Sequence, residues 1–422
     1  MKLYKEARVA LFVGKCEKEL LRAPDNSVDS VVTDPPYELA FMGKKWDSTG
    51  IAFNVDMWRE VFRVLKPGGH LLAFGGTRTY HRLAVAIEDA GFEIRDSIAW
   101  MYGSGFPKSM DVSKAIDKAA GAERTERLAP KAGHENFVGR DNMRALREGT
   151  MAQEGGFARP WMSDPAAVER AHWDYAPATP EAAEWEGWGT ALKPAFEPIV
   201  VARKPLIGTV AQNVLTHGTG ALNIDGCRVE SDRGEQSYTV TRWKPGATLN
   251  REGGTWKRDD ADAPTVSGTL PSGRWPANVI LDEHAAAELD AQTGILTSGK
   301  MMPTHTVASR NTYGQDAEGG FTTMETYGDT GGASRFFYCA KAGKKERPVV
   351  DGVSHATVKP LTLMRYLVRL VTPPGGTVMD HFAGSGTTIE AAILEGFPSI
   401  AIEDDETHIP LIEFRINRAL GK

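Results

Sequence analysis

The stretch TVMDHFAGSGTTIEAA, residues 377–392, decides the fold. A short apolar run ends in Asp380, two glycines follow, and a helical pattern begins near Thr387. This reads as strand, glycine loop, helix. Gly384 and Gly386 let the backbone turn tightly and lie close to a ligand. The free N–H groups of the helix that follows point back toward that ligand. A dinucleotide fingerprint needs a third glycine where this chain has Ile389, so the loop suits a nucleoside without a pyrophosphate. Glu403 ends the next strand, SIAIE, about twenty residues on, where an acid can accept both ribose hydroxyls. The bland alternative is a structural turn; the acids on either side of the loop favour the ligand.

Outward from this unit, the same alternation recurs at both ends of the chain. VALFVG, SVDSVVT, HLLAFGG, FEIRDSIAWMY and FEPIVVARKP read as strands. KCEKELLRAP, VDMWREVFRVL (stopped by KPGG) and TYHRLAVAIEDA (closed by Gly91) read as helices between them. Near the C-terminus LTLMRYLVRLV and HIPLIEFRINRAL are further helices. Alternation of this kind predicts a doubly wound, mainly parallel α/β sheet. The stretch 103–190 breaks the rhythm; it is rich in Gly, Ala, Pro, charge and tryptophan, with one helix predicted in SMDVSKAIDKAAG. From 206 to 345 short apolar runs and Gly/Thr/Ser dominate, which predicts a separate loop-rich domain. The expected division is 1–205, carrying an insertion at 107–190, then 206–345, then 346–422.

At 422 residues the chain can bury a large core. Its apolar and charged fractions, 41% and 25%, are ordinary for a soluble protein. No run is apolar enough to span a bilayer, and the N-terminus does not read as a signal peptide. Cys16, Cys227 and Cys339 are far apart, with no CxxC pair. They suggest a reducing, cytoplasmic setting and no zinc or other metal site. A net charge of −6 does not advertise nucleic acid, but binding needs only a local basic surface.

The strand VVT runs into Asp34-Pro35-Pro36-Tyr37. Prolines end a strand and withhold donors, so they stiffen the turn that carries the acid and the ring. DPPY after one strand, FAGSGTT after another, and HATVKPLTLM at 355–364 together resemble the amino-methyltransferases of DNA, which use S-adenosylmethionine. The order, with the DPPY motif first and the glycine loop last, resembles the family's beta class and its phage and prophage members. YGSGFPKSMDV and KPAFEPIVVARKP belong to the same likeness, which covers about residues 8–110, 189–230 and 335–420.

The resemblance implies a circularly permuted, seven-stranded Rossmann-like sheet with one reversed strand. Its catalytic half lies in 1–205, its cofactor half in 346–422, and a target-recognition domain between them. It makes the Asp34 carboxylate and the Pro35 carbonyl acceptors for a base amino group, with Pro36 stiffening the turn and Tyr37 stacking on the base. His355, Thr357 and Lys359 would line the methionine end of the cofactor, Lys359 pairing with its carboxylate, beside Pro360. The alternative for this segment is a helix cap by Thr357 with Pro360 in the first turn. Asp380, Phe382, Ala383, Gly384, Ser385, Gly386, Thr387 and Glu403 would form the rest of the cofactor site.

The expected reaction is methylation of N6 of adenine in duplex DNA after base flipping, because an Asp before the prolines in this motif order usually goes with adenine. N4 of cytosine is the near alternative. RNA or protein methylation, and a silent DNA-binding module, are further ones. C5 methylation needs a cysteine nucleophile in a Pro-Cys turn, which is absent. Lys44, Lys45 and Trp46 after the turn, Phe106 in YGSGFPKS, Arg242 and Lys244 in TVTRWKPG, and Lys257 and Arg258 in REGGTWKRDD are candidate DNA contacts. Each has a plain solvated or packing role as its alternative. A second copy of the chain and a cognate restriction enzyme are candidate partners that the sequence leaves open. Two departures stand out. His381 follows Asp380 where the family usually has Pro, and Lys15 occupies a strand end where an acid is common.

Overall fold

The computed structural model describes residues 1–39, 45–103, 105, 109–130, 173–231, 236–241, 249–252, 255–258, 265–297, 306–307, 321–322, 329–340, 346–350, 352–355 and 357–422. The chain divides into two compact units, residues 1–104 with 195–422, and residues 105–194.

The larger unit is built on one ten-stranded sheet. In chain order its strands are β1 Lys2–Tyr4, β2 Val9–Val13, β3 Val28–Thr33, β4 Leu65–Phe74, β5 Glu93–Met101, β6 Phe196–Arg203, β7 Val279–Asp282, β8 Tyr338–Ala340, β9 Val378–Asp380 and β10 Ser399–Glu403. Their order in the sheet is β1-β2-β10-β9-β3-β4-β6-β5-β7-β8. Pairing from β2 through to β4 is parallel, and β6 runs against both of its neighbours. Strands β2 to β5 with β6, β9 and β10 are thus the expected seven with one reversed. The sheet goes further than that: β1 adds an antiparallel edge, and β7 and β8 extend the other side in parallel.

β7 and β8 come from the stretch 206–345, which the sequence predicts to be a separate domain. Short apolar triplets such as Val279-Ile280-Leu281 and Tyr338-Cys339-Ala340 are too brief to announce buried strands. The KPGG segment likewise lies inside β4, at an irregularity of register between Leu65 and His70, rather than simply ending a helix.

Alternate side chains of the central strands enter two different cores, as the two-residue period of a strand requires. Val31 and Leu71 pack with Trp58, Val61 and Ile87, from the helices Val55–Val64 and Tyr80–Asp89. Val32 and Leu72 pack with Leu363, Leu367 and Ala391, from the helices Leu361–Val371 and Thr387–Leu394. Helices therefore cover both faces, and β3 and β9 between them are buried throughout, as parallel strands in such a sheet are. The first of these helices starts where the Asn54 side chain accepts hydrogen bonds from the Asp56 and Met57 N–H groups. Cys16 and Cys227 are buried, and Cys339 is partly so.

The helix behind the glycine loop is tied to the last helix, Ile409–Ala419, by a buried ion pair. Arg415 Nη1 lies 2.5 Å from Glu390 Oε2, and Arg418 reaches the same carboxylate at 2.6 Å. The second arm of Arg415 donates to the Glu346 carbonyl at 2.8 Å.

Residues 105–194 form their own unit. In it the helix Val112–Ala119 packs with the short helix Pro180–Glu184, and Arg127–Pro130 pairs with Trp173–Tyr175. Asp117 organises it, accepting from Ala178 N, Thr179 N and Arg124 Nε.

Removing the Glu390 carboxylate strands a buried guanidinium. Glu390→Ala is expected to lower the unfolding free energy by about 3–5 kcal/mol. Urea denaturation measures this, and a loss under about 1 kcal/mol would contradict the role given to the pair.

Candidate active site

Strands β3 and β9 are neighbours, yet their chain connections leave in opposite directions, β3 to β4 and β9 to β10. Ligands of open α/β sheets bind beyond the carboxyl ends of strands at such a switch point. The DPPY turn leaves β3 here and the glycine loop leaves β9 here. A buried hydrogen bond joins them. Thr33 Oγ1 donates to Asp380 Oδ1 at 2.7 Å. Asp380 Oδ1 also accepts from Phe382 N at 3.1 Å, and Oδ2 accepts from Thr388 Oγ1 at 2.5 Å. Asp380 is thus an internal anchor for the glycine loop: its carboxylate is buried and both oxygens bind the protein, whereas the sequence reading placed it against a cofactor. Burial pushes its pKa up to about 6, against the pull of Thr388, Thr33 and Phe382. Beside it, His381 is fully enclosed against Trp58, and burial pushes its pKa down to about 3. Neither of its ring nitrogens has a partner among the described residues.

The glycine loop needs its glycines. Gly384 has a φ of 51°, and a Cβ there would lie 3.1 Å from His355 Nε2. Gly386 has a φ of 81°, and its Cβ would meet the Ile412 backbone at 3.1 Å. Ser385 and Thr387 are buried within the loop, their hydroxyls 3.3 Å apart, and Phe382 and Ala383 pack into the cores behind it. Glu403 Oε2 accepts from Gly384 N at 2.6 Å, and Oε1 accepts from Asp405 N at 3.0 Å and lies 3.2 Å from His408 Nδ1. A carboxylate offers about four acceptor positions, so one remains for an incoming hydroxyl. His408, which the sequence reading missed, is held above its usual pKa by Glu403, against burial. Its ring packs edge-on to His355, and burial and then the His408 charge lower the His355 pKa. His355 Nδ1 and the Thr357 carbonyl are 2.6 Å apart.

The other wall is the DPPY turn. Asp34 Oδ2 accepts from Lys359 Nζ at 2.6 Å. Asp34 Oδ1 is buried with no hydrogen-bond partner among the described residues. Lys359 also lies 3.3 Å from Glu197 Oε2, which accepts from the Tyr37 hydroxyl at 2.7 Å. The ammonium stands 5.2 Å from the centre of the Tyr37 ring and 4.9 Å from that of Phe74. Burial draws the Lys359 pKa down, but Asp34 and Glu197 outweigh it and hold the ammonium above the ordinary lysine value. Burial, then Asp34 and Glu197, raise Tyr37 well above the usual phenol range.

Lys359 thus reaches the acid of the DPPY turn, whereas the sequence reading gave it a cofactor carboxylate. Pro360, just after it, precedes the first turn of the helix Leu361–Val371, with no side-chain cap from Thr357. The turn is fixed from behind. Pro35 is buried, Asp47 accepts from Glu38 N at 2.9 Å and Leu39 N at 3.2 Å, and Thr79 donates to the Tyr37 carbonyl at 2.8 Å. Asp47 and Glu197 escaped the sequence reading because nothing local ties them to the turn.

Of the candidate DNA contacts, Lys44, Phe106, Arg242 and Lys244 lie outside the described residues, as do the side chains of Lys45, Trp46, Lys257 and Arg258. Lys15 is exposed at the end of β2, beside the Glu403 strand. Among the described residues no cluster of His, Cys, Asp or Glu could hold a metal ion, and no helix is long and apolar enough to cross a membrane.

The raised pKa of Asp380 has a signed consequence. The folded chain holds this proton more tightly than the unfolded chain does. The stability it contributes is complete below about pH 4 and is lost as the pH rises through about 6. The unfolding free energy of the native chain minus that of Asp380→Asn is expected to fall by roughly 2–3 kcal/mol from pH 4 to pH 7. Denaturation at a series of pH values measures it, and a flat difference would contradict the dominance of burial over the three hydrogen bonds.

The chain is similar to known proteins over most of its length. A profile of the N6/N4 DNA methylases matches residues 28–129 and 168–414, well over half of the chain. The type II methyltransferase M.HpaI of Haemophilus parainfluenzae is 31% identical over 116 residues, 25% of this chain and 36% of that protein. M.HindIII of Haemophilus influenzae is 25% identical over 173 residues, 40% of this chain and 38% of that protein. The chain therefore matches well under half the length of either relative. Among solved structures, the cytosine-N4-specific PvuII DNA methyltransferase aligns over 98% of this chain and 93% of its own, at 13% identity and a TM-score of 0.42. The extent of the profile match settles membership: this chain belongs to the N6/N4 DNA methylase family.

Proposed function

We propose that the chain methylates an exocyclic amino nitrogen of a base in duplex DNA, with S-adenosylmethionine as the methyl donor and adenine N6 as the first target. One observation carries the reading. The buried Thr33–Asp380 bond holds the DPPY turn beside the glycine loop, and on that turn Asp34 Oδ1 is a buried acceptor without a donor among the described residues. An unmet buried acceptor costs about 1–3 kcal/mol, so such an atom asks for a ligand N–H.

The residues present fit the cofactor. A loop between strand and helix with two left-handed glycines admits a nucleoside, and Glu403 keeps one acceptor position for a ribose hydroxyl. His355, Thr357, Phe382, Ala383, Ser385 and Thr387 complete that wall. When bound, S-adenosylmethionine supplies an activated methyl on a sulfonium. The protein's task is to make the amino nitrogen nucleophilic. Its lone pair is delocalised into the aromatic ring; acceptance of its N–H bonds by Asp34 Oδ1 and the Pro35 carbonyl draws it toward a tetrahedral nitrogen. The two prolines and Asp47 fix those acceptors before the base arrives, which is preorganisation. The base must leave the duplex to reach them, and Tyr37 offers it a ring face worth about 1–3 kcal/mol.

Adenine is preferred over cytosine N4 because Asp leads the prolines in this motif order. Contacts from Lys44, Lys45, Trp46, Phe106, Arg242, Lys244, Lys257 and Arg258 to the duplex, a second copy of the chain, and a cognate restriction enzyme belong to the same proposal.

Two measurements test it. DNA incubated with the chain and labelled cofactor is expected to yield N6-methyladenine on nucleoside chromatography; N4-methylcytosine alone would reverse the choice of base. Asp34→Ala is expected to lower the methylation rate at least a hundredfold, about 2.7 kcal/mol or more of lost transition-state stabilisation. Full activity in that variant would refute the role of the turn.

A further inference from the structure

The Asp34–Lys359 pair has a polarity that the reaction alone does not require. A carboxylate next to a base suffices to draw on an amino group. Here an ammonium lies 2.6 Å from that carboxylate and belongs to a different half of the sheet, 325 residues away in the chain. Lys359 is held there from three sides. Asp34 Oδ2 accepts one of its N–H bonds, Glu197 Oε2 pairs with the ammonium at 3.3 Å, and the rings of Tyr37 and Phe74 lie against it. An ammonium has three donors, and beyond these two carboxylates no acceptor engages it among the described residues, so at least one N–H is left over. The free oxygen of Asp34 and the free N–H of Lys359 therefore stand side by side as acceptor and donor.

The edges of the four bases answer this pair differently. In adenine the N6 amino donor adjoins the N1 acceptor, and in cytosine the N4 amino donor adjoins the N3 acceptor. Guanine and thymine present the opposite polarity, a carbonyl oxygen beside a ring N–H. Against Asp34 and Lys359 they would set acceptor against acceptor and donor against donor. Such mismatches leave buried polar groups unpaired, which is how a site rejects the wrong ligand by large factors.

We propose that Lys359 is a base-reading residue: its free N–H donates to the ring nitrogen beside the target amino group, while Asp34 Oδ1 accepts from the amino group itself. This rests on the methyltransferase reading given above and adds to it the rule by which the pocket admits a base. Glu197 is then a positioning residue. It accepts from the Tyr37 hydroxyl and pairs with the Lys359 ammonium, which keeps an N–H for the base. The assignment moves Lys359 from the cofactor to the target. It predicts acceptance of adenine and cytosine edges alike, with the choice between them left to pocket size and to the contacts that recognise the site.

The test pairs a change in the protein with a change in the base. The methylated position is first mapped by sequencing DNA methylated by the chain. Duplexes are then made with the target base replaced by the analogue lacking the ring nitrogen, 1-deazaadenine or 3-deazacytosine. The native chain is expected to lose about 10- to 100-fold in kcat/KM on the analogue. Lys359→Met should lose a similar factor on the natural base and little more on the analogue, while its dissociation constant for S-adenosylmethionine, measured by calorimetry, changes less than about threefold. Additive losses in the variant, or a cofactor constant raised tenfold or more with the analogue unaffected in the native chain, would overturn the assignment. If Lys359→Met does not fold, as judged by its melting curve and cofactor binding, the native chain still decides: unchanged kcat/KM on the analogue refutes the contact. A native chain that methylates no DNA at all would instead remove the function on which the assignment rests.

Discussion

The architecture of the site depends on one buried hydrogen bond, from Thr33 at the end of β3 to Asp380 at the end of β9. These residues come from opposite ends of the chain, 347 positions apart. Strand pairing brings β3 and β9 together, but pairing alone would leave two independent loops beyond their ends. Asp380 couples them. It accepts from Thr33 on one side and from Phe382 and Thr388 on the other, so the glycine loop and the turn after β3 share one anchor. Burial makes the anchor costly to ionise, and its pKa rises accordingly. That cost is borne in a core formed by helices on both faces, where Trp58 and His381 close off the solvent.

Around this anchor the two walls have different characters. The glycine loop wall is made of backbone and is closed by Glu403, whose oxygens bind Gly384, Asp405 and His408. In the proposed reaction this wall takes the hydroxyl groups of the cofactor. The DPPY wall is a compact set of charges, with Asp34 and Glu197 flanking Lys359 and Tyr37 closing the ring of contacts. A buried lysine without partners would lose its proton readily; this one is held protonated by two carboxylates. The free oxygen left over on Asp34 is a consequence of the same arrangement, because Lys359 engages only Oδ2. The wall thus has directional donors and acceptors facing the place where a base would enter.

Much of this was legible in the residues. The alternation of strands and helices at both ends, the strand FEPIVVAR and the strand–loop–helix at 377–392 all appear where their patterns place them. They are legible because each is local: a period of two or of about 3.6 residues, a glycine where φ is positive, an apolar run bounded by turns. The rest was not local. β7 and β8 are short segments in a Gly-rich region that become strands only because β5 offers an edge to pair with. Glu197 and Asp47 are ordinary acids in sequence and acquire their roles from what the fold sets against them. Asp380 looked like a ligand contact because acids before glycine loops often are, yet two threonine hydroxyls and an N–H claim it. Lys359 was recognised as part of the site, but its partner lies in a different part of the sequence.

The turn at 34–37 and the loop at 382–387 lie at the carboxyl ends of neighbouring strands, and the proposed reaction requires the free oxygen of Asp34 to meet the amino group of an extruded base between them. A crystal structure of the chain with S-adenosylmethionine and a duplex carrying its methylation site tests this most directly. The account predicts a flipped base with its amino nitrogen about 2.7–3.2 Å from Asp34 Oδ1, on the side facing the methyl donor. A base left in the duplex, or one whose amino group is held away from Asp34, would contradict it.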